Sequence, residues 1–428
     1  MLNTIAVPLT RTLLRRSFQL LVILLIQLGM LLGWGIGGFT DPAIALTQEQ
    51  RLWTEAWRVI NRAYVDDSFN GQNWWSVRQK GLKRSLSSRG QTYDAIEEMM
   101  ASLGDPFTRF LRPDQYKSLQ VTTAGELTGV GLQIILDPAT HEVVIVTPIP
   151  GSPAEAAGLQ SGDRIRTIDG VSTRNLTLEE AAARLQGMKG TVVVVEVLHR
   201  NTTETEILKL ERDLITLNPV VAQLKQEPNL PPVGYLRLTQ FNGKSKQELG
   251  ASMKDLKHQG AEAFVLDLRN NPGGLLQAGI EVARLWLNEG TIVYTVNRQG
   301  SLGFFQASGE ALTEDPLVVL VNQGTASAAE ILAGALQEND RAVLVGEKTY
   351  GKGLIQSLFR LSDGSGMAVT VAKYETPLHH DINKQGIQPT IVVAGQPLQF
   401  NAVATEQDEQ YETALAVLRD DLGLGQVD

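Results

Sequence analysis

Leu317-Val318-Val319-Leu320-Val321-Asn322-Gln323-Gly324-Thr325-Ala326-Ser327-Ala328-Ala329-Glu330 is the stretch on which the reading of this chain turns. Its five consecutive apolar residues, preceded by Pro316, read as a buried strand, and Asn322-Gln323-Gly324 reads as a tight turn. Ile331, Leu332, Ala335 and Leu336 then fall on one helical stripe. A second strand, Ala342-Val343-Leu344-Val345, runs into Gly346 and on to Tyr350-Gly351-Lys352-Gly353. Strand, helix and strand in succession describe an α/β unit. The unit leaves Ser327 at a helix N-terminus and Lys352 between two glycines.

Three readings compete for these residues. Ser327-x-x-Glu330 is a capping box, which needs nothing beyond a helix to cap. Gly346-x-x-x-x-Gly351-Lys352 is most of a nucleotide-binding P-loop, but Gly353 stands where Mg²⁺ coordination needs Ser or Thr. Leu354-Ile355-Gln356 also gives no helix-start signal, so the phosphate-binding helix is missing. The third reading is a Ser–Lys hydrolase. A serine hydroxyl needs a base to take its proton. Lysine becomes that base when burial lowers its pKa toward neutrality. Tyr350, Leu354 and Ile355 supply apolar neighbours, and no acid lies immediately beside Lys352. In an extended segment Lys352 and Gln356 point to one face, so Gln356 can accept a hydrogen bond from the amine and aim it. The helix N-terminus under Ser327 favours negative charge, which helps an oxyanion.

The segments Asn322–Glu330 and Gly346–Gln356 resemble the carboxyl-terminal processing proteases. So do Asp267-Leu268-Arg269-Asn270-Asn271-Pro272-Gly273-Gly274 and Leu103-Gly104-Asp105-Pro106-Phe107-Thr108-Arg109-Phe110-Leu111. The resemblance spans most of the chain after the N-terminal segment. It implies Ser327 as nucleophile, Lys352 as general base and Gln356 as the residue that orients the lysine. It also implies an oxyanion hole from the backbone N–H groups of Ala328 and Gly274, in preference to Gly273. The implied fold is a crotonase-like α/β spiral. Glu55–Asp66 and Ser68–Gln72 are most similar to the enzymes of oxygenic photosynthesis. That branch implies a thylakoid-lumen enzyme that trims a photosystem II reaction-centre precursor. Thr390, after Gly386-Ile387-Gln388-Pro389, stands where the family more often has Asp.

Composition sets outer limits. The 428 residues allow two or three domains, and a net charge of −9 disfavours a nucleic-acid partner. With 0 cysteines there is no thiol nucleophile, thiolate metal site or disulfide. Arg11, Arg15 and Arg16 precede an apolar run from Phe18 to Phe39, and Ala43-Ile44-Ala45 follows. This is the layout of a signal peptide cleaved after Ala45, with an uncleaved membrane anchor as the alternative. This layout predicts an exported protein, of the periplasm or, as the resemblance implies, the thylakoid lumen. Membrane contact would come through its substrate or a retained N-terminal segment.

The remaining chain divides by texture. Residues 46–123 read as helical, with Trp53, Trp57, Trp74 and Trp75 as packing residues. From 124 to 214, short strands alternate with Gly-rich turns. Gly129-Val130-Gly131-Leu132, Gly158-Leu159 and Gly162-Asp163 within it resemble a PDZ domain. Successive N–H groups in such a Gly-rich turn form an anion nest, and the strand that follows can pair with an extended peptide. Residues 215–395 read as the catalytic α/β core, with strands at Ala263–Leu268, Gly290–Val296, Pro316–Val321 and Met367–Tyr374 and a helix over Leu275–Leu287. Residues 396–428 read as a helical tail. His379-His380-Asp381 falls in no motif, and adjacent histidines diverge on a strand. The expectation is an α/β multidomain serine endopeptidase: a crotonase-like core with an inserted PDZ domain and an N-terminal helical domain. It acts on protein substrates with a free C-terminus, without metal, nucleotide or other cofactor. A non-catalytic PDZ adaptor is the rival from another class.

Overall fold

The computed structural model describes residues 46–137, 140–200, 202–395 and 402–424. The expected signal segment, 1–45, lies outside the described residues. In chain order the elements are α1 (Gln48–Ala63), α2 (Trp74–Leu82), α3 (Arg89–Ala101), β1 (Arg109–Leu111) and α4 (Pro113–Thr123). Next come β2 (Glu126–Gly129), β3 (Leu132–Leu136), β4 (Val143–Pro148), α5 (Pro153–Ala156), β5 (Arg164–Ile168) and β6 (Val171–Ser172). They are followed by α6 (Leu178–Leu185), β7 (Val192–Leu198), β8 (Thr205–Glu211), β9 (Asp213–Thr216) and β10 (Val220–Lys225). The core proper holds β11 (Val233–Leu238), α7 (Ser245–His258), β12 (Ala263–Asp267), α8 (Leu276–Ala283), β13 (Thr291–Asn297) and β14 (Gly300–Gln306). It closes with β15 (Leu317–Val321), α9 (Ala328–Glu338), β16 (Val343–Gly346), β17 (Leu354–Arg360), β18 (Gly366–Glu375), β19 (Ile391–Val392) and α10 (Glu409–Asp421).

The central sheet runs β10-β11-β12-β15-β16-β19, parallel except for the antiparallel edge strand β10. Every residue of β12 and β15 is buried. That explains their unbroken apolar runs, since a parallel strand covered on both faces has no polar side to present. On one face, Leu266, Val319 and Leu344 pack with Met253 of α7, Ile280 of α8 and Leu332 of α9. On the other, Val265, Val318 and Leu320 pack with Tyr411, Leu415 and Leu418 of α10.

A second sheet runs β1-β18-β13-β14, with β17 also on β18. The N-terminal helices lie on it: Trp53, Trp57, Ile60, Ile96 and Met100 share one buried cluster with Phe110, Met367 and Val369. Trp53, Trp57 and Trp74 are buried as expected, whereas Trp75 is 61% exposed. α8 ends at Ala283, four residues short of the expected Leu287, and Leu285 and Trp286 continue as buried turns. Residues 130–211 form a separate sheet, β3-β4-β5-β7-β8 with β6 on β5, around its own core of Val143, Ile145, Ile165, Val193 and Val195. The antiparallel pair β2–β9 brackets this module and returns the chain to the core. Among the described residues no helix is long and apolar enough to cross a membrane.

Candidate active site

Two loops meet at the carboxyl ends of β12 and β15, the usual location of a site in an open α/β sheet. Thr325 Oγ1 donates to the Leu268 carbonyl at 2.9 Å, and the Ala326 N–H donates to the Asn271 carbonyl at 2.9 Å. These bonds hold Asn322–Ser327 against Leu268–Gly274. Gly273 (φ +91°) and Gly274 (φ +145°) make the contact close. A Cβ on Gly274 would sit 1.9 Å from the Phe241 carbonyl oxygen, and one on Gly273 2.8 Å from the Ala328 nitrogen. Only glycine fits either position.

Ser327 is the N-cap of α9 and carries φ 56° and ψ −118°. A non-glycine residue in that region is strained by about 1–3 kcal/mol and persists only where its surroundings hold it. Half of the expected capping box supplies that hold. The Ser327 N–H donates to Glu330 Oε2 at 2.8 Å, while the Glu330 N–H goes to the Ser327 carbonyl, also at 2.8 Å. The serine hydroxyl is thereby released from capping.

Glu330 is fully buried and does more than cap. Its Oε2 also accepts the Lys352 N–H at 2.9 Å. Its Oε1 accepts the Gly351 N–H at 2.7 Å and the Thr349 hydroxyl at 2.6 Å. One carboxylate oxygen thus anchors the backbones of Ser327 and Lys352 together. The buried Tyr374 hydroxyl ties them a second time, through the Ser327 carbonyl at 3.0 Å and the Lys352 carbonyl at 2.6 Å. Burial, with the Glu330 and Asp381 charges behind it, holds that phenol well above its ordinary pKa, so it stays a donor.

Ser327, Lys352, Gln356, Gly274 and Ala328 all line one cavity of about 510 Å³, with Phe107, Arg109, Phe241, Ile331, Leu354 and Ile355 among the other walls. The Lys352 Nζ lies 4.8 Å from the centre of the Phe107 ring. Burial lowers the Lys352 pKa, and Arg109 lowers it further, while Asp105 and Glu330 oppose them. Leu354 and Ile355 supply the expected apolar wall, but Tyr350 is 61% exposed and Phe107 takes its place. Among the described residues no hydrogen bond joins Ser327 Oγ to Lys352 Nζ, or Lys352 Nζ to Gln356. Such bonds commonly tighten only with substrate in place. The Gly273 N–H is already given to Asn271 Oδ1 at 2.9 Å, which removes it from the oxyanion choice. Among the described residues the N–H groups of Gly274 and Ala328 have no acceptor within the chain.

Lys352 leads into β17, a strand, where a P-loop requires a helix. His379 pairs with Glu375, and His380 with Glu338, in a loop after β18. No cluster of metal-ligating residues occurs among the described residues.

In the inserted module, Gly129 ends β2 and Leu132 opens β3. The Val130 carbonyl accepts from the Ala154 N–H, and the Gly131 carbonyl from the Ile149 N–H and Ser152 Oγ. These bonds commit the Val130 and Gly131 carbonyls within the module. Among the described residues β3 is an edge strand partnered only by β4, and α6 packs beside it. A free strand edge beside a helix is the arrangement that can accept an added peptide strand.

Glu330's second role, Tyr374, Phe107 and Asp105 were not assigned from the sequence. Glu330 was visible only as the last residue of a capping box. Tyr374 has no local signal, because its partners lie 22 and 47 residues away.

A serine freed from its cap, a desolvated lysine and a Gly-lined corner, on an α/β core that carries an inserted module with an open edge, define a serine peptidase with a peptide-binding domain. A model of peptidase family S41 matches residues 232–393, and a PDZ domain model matches residues 144–198. The chain is 58% identical over 390 residues to a carboxyl-terminal-processing protease of Picosynechococcus sp., covering 91% of this chain and 94% of that one. It is 47% identical over 361 residues to the chloroplastic carboxyl-terminal-processing peptidase 2 of Arabidopsis thaliana, covering 82% and 70% of the two chains. Among solved structures, a photosystem II D1 C-terminal processing protease matches with a TM-score of 0.59 at 43% identity, over 85% of this chain and 99% of that one. The chain belongs to the carboxyl-terminal-processing proteases of peptidase family S41 and is a serine protease.

Proposed function

We propose that Ser327 is the nucleophile, Lys352 the general base, and Gln356 the residue that aims the lysine. The observation that carries this reading is the shared cavity into which all three open, with Gly274 and Ala328 at its wall. The groove of Gly129, Val130, Gly131, Leu132 and β3 takes the substrate's C-terminus. The Ser327 Oγ–H proton passes to Lys352 Nζ as Oγ bonds to the scissile carbonyl carbon. The N–H groups of Ala328 and Gly274 take the oxyanion. Lys352 returns its proton to the leaving amine as the C–N bond breaks, leaving an acyl-enzyme. Lys352 then takes a proton from water as the water attacks the ester carbonyl, and returns that proton to Ser327 Oγ as the acyl C–O bond breaks, releasing the product and restoring the neutral amine. No metal, nucleotide or other cofactor enters these steps.

Domain division follows the textures of the chain: helical at 46–123, PDZ at 124–214, a crotonase-like spiral core at 215–395 and a helical tail at 396–428. After removal of residues 1–45 the enzyme works in the thylakoid lumen or periplasm, meeting the membrane through its substrate. The substrate we favour is a photosystem II reaction-centre precursor, on the strength of the D1-processing structure to which the chain is similar. A strain carrying Ser327→Ala should accumulate precursor with its C-terminal extension intact, read by mass spectrometry. Normal maturation in that strain would overturn the assignment.

A further inference from the structure

Gln356 can aim Lys352 only if its carbonyl oxygen, and not its amide nitrogen, faces the amine. Nothing in a glutamine fixes that choice, because the two ends of the amide have the same shape. Its surroundings must fix it, and they lead to a segment far away in the chain. We propose that Asp105, acting through the Thr370 hydroxyl, sets the facing of the Gln356 amide and is thereby a positioning residue for the base. The inference rests on the roles given above to Lys352 and Gln356.

Gln356 and Thr370 are directly paired across β17 and β18, next to a register shift between Ile355 and Gln356. Gln356 Nε2 lies 3.4 Å from Thr370 Oγ1. That contact is long, so its weight lies in polarity rather than strength. Thr370 is 1% exposed, and its hydroxyl has one proton. That proton goes to Asp105 Oδ2 at 2.6 Å. An ionised carboxylate has no proton to give back, so toward Gln356 the Thr370 oxygen can only accept. The Gln356 amide must therefore present its N–H to Thr370, which turns Oε1 away from Thr370. Reversing the amide would set acceptor against acceptor at a buried position, which is unfavourable.

The direction of Asp105 is itself held. Its Oδ2 also accepts from Thr108 Oγ1 at 2.6 Å, and Thr108 Oγ1 accepts from the Thr370 N–H at 3.0 Å. Its Oδ1 accepts the Phe107 N–H at 2.9 Å. The same carboxylate thus shapes the turn that places the Phe107 ring against Lys352. This gives the Asp105–Phe107 stretch a task at the base rather than a merely structural one. The charged groups that act on Lys352 are Arg109, Asp105 and Glu330.

The test is a mutant cycle on fluorescently labelled casein, with kcat, KM and the pH–rate profile of the full chain. Thr370→Val keeps the shape and removes the hydroxyl. It should lower kcat roughly tenfold with KM little changed, and Thr370→Ser should restore the rate. The loss should largely vanish when Thr370→Val is made in a Gln356→Ala background, because the residue being aimed is gone. Asp105→Asn frees the Thr370 proton to turn toward Gln356. It should lower kcat and move the rising limb of the profile to lower pH, since a negative charge near Lys352 is lost; this variant decides the matter if Thr370→Val does not fold. A wild-type kcat in Thr370→Val, an equal loss in Thr370→Ser, or a full tenfold loss persisting in the Gln356→Ala background would each overturn the proposal. If Gln356→Ala slows the enzyme and Thr370→Val does not, only this inference fails. If Gln356→Ala itself runs at the wild-type rate, the role of Gln356 fails and this inference with it.

Discussion

The PDZ module and the peptidase core each bury a glutamate, and they satisfy it in opposite ways. Glu142, 2% exposed, is surrounded by guanidinium groups: Arg164 at 3.1 Å, Arg174 at 2.6 Å, and Arg166. Burial pushes its pKa up, but hydrogen bonds from Arg164 and Arg174 and the charge of Arg166 prevail and hold it below the ordinary carboxylate range. Glu330, 0% exposed, accepts from three backbone N–H groups and one hydroxyl. The arginines reach Glu142 on long side chains that can slide while keeping their charge contact. The donors to Glu330 are backbone, so the place of the carboxylate fixes the place of Ser327 and Lys352. The binding module uses its buried acid to balance charge. The catalytic core uses its own as a joint.

That contrast can be broken most sharply at Glu330. Glu330→Gln keeps the volume but turns an NH₂ toward N–H or O–H donors whichever way it lies. It should cut kcat by about 100-fold, with KM changed far less. Activity close to wild type in a folded Glu330→Gln protein would remove the joint from the account. A smaller effect is expected at Arg109, whose charge helps hold the Lys352 pKa down. In the proposed mechanism the neutral amine is the active form, so the rate should rise with pH through that pKa. Arg109→Gln should therefore move the rising limb to higher pH, opposite to Asp105→Asn, and a limb that stays put would deny the charge effect. The smallest catalytic effect belongs to Glu142→Gln, for which we expect kcat within about twofold of wild type. Its cost should appear in thermal stability. A carboxylate with a depressed folded-state pKa stabilises above its unfolded value, near 4.3, and that contribution is lost as pH falls through the folded value. The Tm difference between Glu142→Gln and wild type should be full at pH 7 and shrink in acid. A difference that grew in acid would reverse the sign assigned to the arginine cluster.

Much of the core was legible because its signals are local. The buried strands β12 and β15 announce themselves as apolar runs, and the turn after each carries the glycines and asparagines that its geometry needs. Gly274, Ser327 and Ala328 lie on those turns or just beyond them, and Lys352 and Gln356 follow β16 at the start of β17, so the motifs that point to the site also deliver its residues to one cavity. What was not legible depends on tertiary contact. Tyr374 sits inside an ordinary β run and matters only because its hydroxyl reaches two carbonyls from other segments. Phe107 and Asp105 precede the PDZ module yet lie close to Lys352, a placement created by pairing β1 with β18. Tyr350 looked like a wall of the lysine pocket, but Gly351, at φ +88°, bends the chain there and Tyr350 faces solvent. Trp75 packs as well, its ring 5.0 Å from that of Trp57, but it does so at the surface, and no periodicity separates it from buried Trp74.

The proposed mechanism requires Lys352 to work as an uncharged base toward Ser327. The direct measurement is the pH–rate profile of peptide hydrolysis by the wild type and by Lys352→Met, each confirmed folded by its Tm. We expect a wild-type rate that climbs with pH through a lysine pKa lying below its ordinary value, and no measurable turnover in Lys352→Met at any pH. Hydrolysis at the wild-type rate by the methionine variant would contradict the account.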